Sequence, residues 1–167
     1  GKRLALQAEI DGMLSKRALE PVANPFSPGF YSHLFLVPKK SGGWRPVINL
    51  SALNRFLLVP KFHMETPRTI RQCLFPDAWV TSVDLKDAYF HVPIHPRSRC
   101  FLRIAYRGRV LQFRALPFGL APAPWIFTRV MSELKTLVHS QGVRLCQYFD
   151  DWLIIASSPD LARDHTS

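Results

Sequence analysis

The chain has 167 residues, with 22 Lys and Arg against 12 Asp and Glu, and so carries a formal charge of +10. That length suits one ordinary domain, and 47% hydrophobic with 12% aromatic residues supplies a packed core despite 14 prolines, which excludes global disorder. No apolar run reaches membrane length, since the uncharged stretch Ala115–Thr128 is interrupted by Pro117, Pro122 and Pro124, and no membrane partner is expected.

Lys2–Arg17 sets Leu6, Ile10, Met13 and Leu14 at helical spacing among charges and predicts an amphipathic helix. Pro21, Pro25, Pro28 and Gly29 break it, leaving extended or turned chain to about Tyr31. Ser32–Val37 and Trp44–Leu50 read as strands joined by Lys39-Lys40-Ser41-Gly42-Gly43, a basic finger ending in glycines. Thr66–Phe75 predicts a short helix with Thr66 as N-cap and Pro67 in its first turn. Trp79–Leu85 reads as a buried strand with Asp84 near its end. Phe101–Tyr106 and Val110–Ala115 flank Arg107-Gly108-Arg109 as a hairpin. Pro122–Val138 predicts a helix with Ile126, Phe127, Val130, Met131, Leu134 and Leu137 on one apolar stripe. Arg144–Phe149 and Trp152–Ala156 are apolar arms around Asp150-Asp151, and a last helix begins near Asp160.

Glu9 and Asp11 fall where a secretory leader needs its apolar stretch, so none is expected. Cys73, Cys100 and Cys146 are odd in number and widely spaced, which fits neither a disulfide framework nor a CxxC zinc site. An intracellular setting is expected, in the nucleus or a cytoplasmic particle. The histidines show no metal-ligand spacing beyond His91 and His95, which flank Pro93, and neither GxGxxG nor a P-loop is present.

Charge is unevenly placed. Pro21–Phe75 holds seven basic residues (Lys39, Lys40, Arg45, Arg55, Lys61, Arg68, Arg71) against Glu65 alone. Such a surface suits a polyanion, because each cation that neutralises a phosphate releases counterions, although a basic surface can also serve solubility. Within this positive frame, Asp84 and Asp150-Asp151 form an acidic exception. Carboxylates brought together repel, and burying them costs free energy unless a cation neutralises them. Mg²⁺ prefers oxygen ligands, and two ions about 3.5–4 Å apart can activate an attacking hydroxyl and steady a leaving pyrophosphate. Taken alone, Asp-Asp makes a good turn and Asp84 a helix cap.

The sequence around these acids resembles the fingers and palm of a reverse transcriptase, from about Leu14 to Ala156. LVPKKSGGWRPVINLSALN (Leu36–Asn54) is similar to the basic finger hairpin, SVDLKDAYFHVPIHP (Ser82–Pro96) to the first catalytic motif, LPFGLAPAPWIF (Leu116–Phe127) to the template and nucleotide-binding motif, and YFDD (Tyr148–Asp151) to the second catalytic motif. The wording is closer to retrotransposon than to retroviral enzymes, with DIRS-like elements one source. The implied fold is α+β: a palm whose antiparallel sheet is backed by helices, with β-rich fingers. About 14–78 would be mainly fingers and about 79–167 mainly palm with part of the fingers. The thumb and an RNase H domain would lie downstream, making this chain the front of a larger polymerase.

The resemblance implies RNA-directed DNA polymerisation: a primer 3′-hydroxyl attacks the α-phosphate of a deoxynucleoside triphosphate on an RNA or DNA template. Asp84 and Asp150 would hold two Mg²⁺ ions, which Mn²⁺ could replace, with Asp151 in support and the Leu85 carbonyl as a further ligand. Lys40, with Lys39 as its alternative, and Arg45 would meet the triphosphate. Asp87, Ala88 and Tyr89 would line the nucleotide, the Tyr89 ring crowding a ribose 2′-hydroxyl. Pro117, Phe118 and Gly119 would lie against the nascent base pair, Phe118 standing where retroviral enzymes carry glutamine. Tyr148 and Phe149 would adjoin the primer. Asn49 and Ser51 replace the Asp and Arg common in the family. Two other readings use the same residues: an inactive nucleic-acid-binding remnant, and an RNase H-like acidic nuclease whose acids would sit on separate elements of a different sheet.

Overall fold

The structure, a computed structural model, describes residues 1–38, 43–63, 65–148 and 151–166; the side chains of Arg45 and Tyr148 also fall outside the description. In chain order the elements are α1 (Lys2–Ser15), β1 (Leu19–Pro21), β2 (His33–Pro38), β3 (Trp44–Asn49), α2 (Ser51–Asn54), α3 (Pro67–Cys73) and β4 (Trp79–Asp84). Two 3-10 turns, Ala88–His91 and Pro96–Phe101, lead to β5 (Arg103–Tyr106), β6 (Arg109–Phe113), α4 (Ala123–Ser140), β7 (Arg144–Tyr148), β8 (Asp151–Ala156) and α5 (Pro159–Asp164). These form two units interleaved along the chain: Gly1–Val59 with Tyr89–Ala123, and Pro60–Ala88 with Pro124–Ser167.

The first unit contains the β2–β3 hairpin and an antiparallel sheet in the order β1-β6-β5. Helix α1 buries Ile10 and Met13, one turn apart on its apolar side. β5 and β6 meet through Arg107 and Gly108, both at positive φ (48° and 73°), the two-residue turn whose twist matches paired strands. Sequence periodicity did not reveal β1: three residues are too few to show alternation, and their partners on β6 lie ninety or more positions away, Leu19 opposite Phe113. Leu50, Ile104, Leu111 and Leu116 are fully buried here. Arg103 is only 4% exposed, and its guanidinium donates to the Ser27 carbonyl (2.6 Å) and hydroxyl (2.8 Å). A Cβ on Gly29 would stand 2.6 Å from Arg103 Nη1, so the backbone approaches closely there because residue 29 has no side chain.

The second unit is built on an antiparallel sheet in the order β4-β8-β7. Ile154, Ile155 and Ala156 of central β8 are buried, and Ile70 of α3 packs with Ile155 and Cys146. The expected cap opens α3: Thr66 Oγ1 accepts from the Thr69 amide (3.3 Å), while Thr69 Oγ1 accepts from the Thr66 amide (2.7 Å). Two expectations need correction. β4 is not a buried strand: among the described residues it pairs on one side only, and Trp79 and Val80 are 54% and 46% exposed. The α4 stripe is also split, with Phe127 and Met131 buried but Val130, Leu134 and Leu137 exposed, because at about 3.6 residues per turn the first two lie along one edge of the stripe and the other three beside it, and only that edge is covered among the described residues.

Candidate active site

In the second unit, β4 ends on Asp84 and β8 opens on Asp151, and the register sets these residues directly opposite each other. Tyr148 faces Asp151 from the other side, so Asp84, Asp151 and Tyr148 form one row across the three strands. Directly paired residues leave the same face with Cβ atoms about 4.5–5.5 Å apart, and like charges in that relation destabilise the sheet. Asp84 and Asp151 are both solvent-exposed, which corrects the expectation of a burial cost; mutual repulsion is what remains for a cation to relieve. An open cavity beside Asp151, between α3 and the strands, is lined by Ile70, Arg71, Ser82 and Leu153 among others.

Two opposed carboxylates are hard oxygen donors and fit Mg²⁺ or Mn²⁺ in kind. Among the described residues no group of three or more His, Cys, Asp and Glu side chains forms a metal site. Asp150, the proposed partner of Asp84, lies outside the described residues, as do Lys39, Lys40 and Phe149. Arg45 is placed by its backbone on β3 opposite Val37. Beyond Asp84 the chain passes through half-buried Leu85 to Asp87, which takes a positive φ of 55° and turns the backbone into the Ala88–His91 turn, with Ala88 buried.

In the first unit, Tyr89 and Phe118 stack with ring centroids 4.6 Å apart and planes 24° from parallel. Phe90 meets Phe118 edge-on at 6.0 Å and 70°. Pro117 is fully buried, whereas Phe118 and Gly119 are exposed. Gly119 has φ +93°, and a Cβ there would lie 3.4 Å from the Ile48 carbonyl oxygen. Sequence reasoning assigned no role to Asn54, yet its amide nitrogen donates to the Gly119 carbonyl (2.9 Å) and its oxygen accepts from the Ala121 amide (2.8 Å). Asn49 and Ser51 have a local use: Asn49 Oδ1 accepts from the Ser51 amide (3.1 Å) at the entrance to α2.

A family profile described as "Reverse transcriptase (RNA-dependent DNA polymerase)" matches residues 37–167, well over half of the chain and including the row of residues just described. The chain belongs to the reverse transcriptase family. Among curated relatives, it is 26% identical to the Gag-Pro-Pol polyprotein of Squirrel monkey retrovirus, covering 97% of this chain and 9% of that one. It is 28% identical to the retrovirus-related Pol polyprotein from transposon 412 of Drosophila melanogaster, covering 92% and 12%. The reverse transcriptase fold is also found in solved structures: the prototype foamy virus protease-reverse transcriptase CSH mutant superposes with a TM-score of 0.81 at 21% identity over 99% of this chain and 21% of that one. The foamy viral protease-reverse transcriptase in complex with double-stranded DNA gives 0.81 at 20% identity, over 97% and 27%. The palm-and-fingers α+β architecture expected from the reverse transcriptase motifs is therefore present, and the chain spans a small part of its relatives' length.

Proposed function

We propose that this chain carries the nucleotidyl-transfer centre of an RNA-directed DNA polymerase encoded by a retroelement. The observation that supports it best is the cross-strand opposition of Asp84 and Asp151, two like charges held at adjoining strand ends in a surplus of positive charge. Asp84 and Asp150 would hold two divalent ions, with Asp151 in support and the Leu85 carbonyl as a further ligand. Bound Mg²⁺ supplies Lewis acidity to the primer hydroxyl and to the triphosphate, and Mn²⁺ can replace it. Lys40 and Arg45 neutralise the triphosphate, a task in which electrostatic positioning dominates phosphoryl transfer. Asp87 and Ala88 line the nucleotide, and Tyr89 excludes a ribose 2′-hydroxyl. Phe118, Pro117 and Gly119 serve the template base pair, Pro117 from within the loop, and Tyr148 and Phe149 the primer.

The partners in this reading are deoxynucleoside triphosphates and a primed RNA or DNA template, in a parent chain with a thumb and an RNase H domain. Primer extension on RNA with Mg²⁺ is the test. Asp84→Asn and Asp150→Asn should each lower the rate by about a hundredfold or more, the loss of several kcal/mol of charge stabilisation. Synthesis indifferent to both substitutions, with the chain folded, would overturn the assignment. Cleavage of an RNA–DNA hybrid without added nucleotides would favour the nuclease reading instead.

A further inference from the structure

The Tyr89–Phe118 stack carries an inference about substrate choice that rests on the proposed role of Tyr89. A steric filter works only if its ring cannot yield. A hydroxyl differs from a hydrogen at the same carbon by little more than one atom, and a tyrosine free to turn about its side-chain torsions could make room for it. The structure supplies a wall. The Tyr89 ring is half-buried and lies on the Phe118 ring at 4.6 Å, in the offset, near-parallel arrangement that aromatic pairs favour. Phe90 closes on Phe118 edge-first at 6.0 Å.

The wall is itself anchored on both sides. Leu116 is fully buried, and its amide donates to the Val92 carbonyl at 2.9 Å, tying the approach to Phe118 to the segment that carries Tyr89. Pro117, fully buried, fixes its own φ. After Phe118, Asn54 holds the Gly119 carbonyl and the Ala121 amide. The ring of residue 118 therefore stands on a backbone tied down before and after it.

We infer that Phe118 is a positioning residue for sugar selection, holding the Tyr89 ring where a 2′-hydroxyl would collide. The role differs from contact with the base pair, because it acts on the ratio between sugars. A loss of general loop order would weaken deoxy- and ribonucleotides alike, whereas a yielding gate relieves only the ribonucleotide.

The experiment is a double-mutant cycle in the full chain with primer–template. It measures discrimination between dCTP and CTP as the ratio of kcat/KM values and, independently of turnover, as the ratio of dissociation constants for the two nucleotides. Tyr89→Val should relax both ratios. Phe118→Ala should relax them by about three- to tenfold, the range an offset aromatic pair supports. Phe118→Tyr, which keeps a ring at that position, should restore discrimination. The double variant should discriminate no worse than Tyr89→Val alone, because a wall has no effect without its gate. If Tyr89→Val relaxes the ratios while Phe118→Ala leaves them unchanged, or adds its full effect in the Tyr89→Val background, the positioning role is overturned and the gate stands. If Tyr89→Val itself changes neither ratio, the gate reading falls and the positioning role falls with it.

Discussion

One amide side chain, Asn54, supports both ends of the turn that presents Phe118 and Gly119. It uses both its functions, giving a proton to the Gly119 carbonyl and accepting one from the Ala121 amide. Asn54→Ala removes both bonds and leaves a part-buried amide without that acceptor, so unfolding free energy should fall by about 1–3 kcal/mol in denaturant titration. Asn54→Asp retains an acceptor for Ala121 and should fall between the two; an unchanged midpoint for Asn54→Ala would show that water replaces the side chain. Residue-scale chemistry of this kind is hard to read along a chain. Asp84 and Asp151 were legible because acids in a basic, apolar context are conspicuous, whereas Asn54 is an ordinary helix-end residue until its partners, 65 and 67 positions away, are known.

Among elements, β7 shows how an edge strand is finished. The amides of Leu145 and Gln147 are taken by side chains: Leu145 donates to His139 Nε2 at 3.1 Å and Gln147 to Glu65 Oε2 at 2.7 Å. Glu65 also pairs with Lys135. These bonds satisfy groups that would otherwise invite another strand. Between those two residues sits Cys146, facing α3. Burial pushes its thiol up to about 12 from an ordinary 9.0, and the neighbouring Cys73 side chain adds to the shift. The folded state therefore keeps a proton that the unfolded chain releases. This contribution to stability is fully present below pH 9 and is lost as pH rises through about 12. Under reducing conditions, the native chain should lose stability over that window more steeply than Cys146→Ala; parallel curves would show that the thiol does not titrate this way. That Cys73 comes to neighbour Cys146 had no signal in the sequence, where the two lie 73 positions apart and their spacing fits neither a disulfide framework nor a CxxC site.

For the whole molecule, the charge of +10 sets how a nucleic acid should be held. If phosphates are the main contacts, affinity for a primed template of arbitrary sequence should fall by about tenfold or more between 50 and 200 mM salt, linearly in logarithmic terms. Lys61→Ala, at an exposed position, should weaken all sequences alike and reduce the salt slope by about one. Affinity indifferent to salt would mean that the positive frame serves something other than a polyanion.

The sequence by itself determined the local features: that α1, α3, α4 and the strands of the hairpins exist, to within about two residues at their ends, that Thr66 caps α3, and which four motifs place the chain among reverse transcriptases. These depend on neighbours within a few positions, so spacing and residue type suffice. Only the tertiary structure decided that β4 is an edge strand, that β1 exists, that Asp84 meets Asp151 in register, and that Phe118 lies on Tyr89. Each depends on which distant segments the two interleaved units bring together. A strand's own alternation gives the period of its side chains, but neither its partner nor its place in the sheet, because those are set by the burial of other elements.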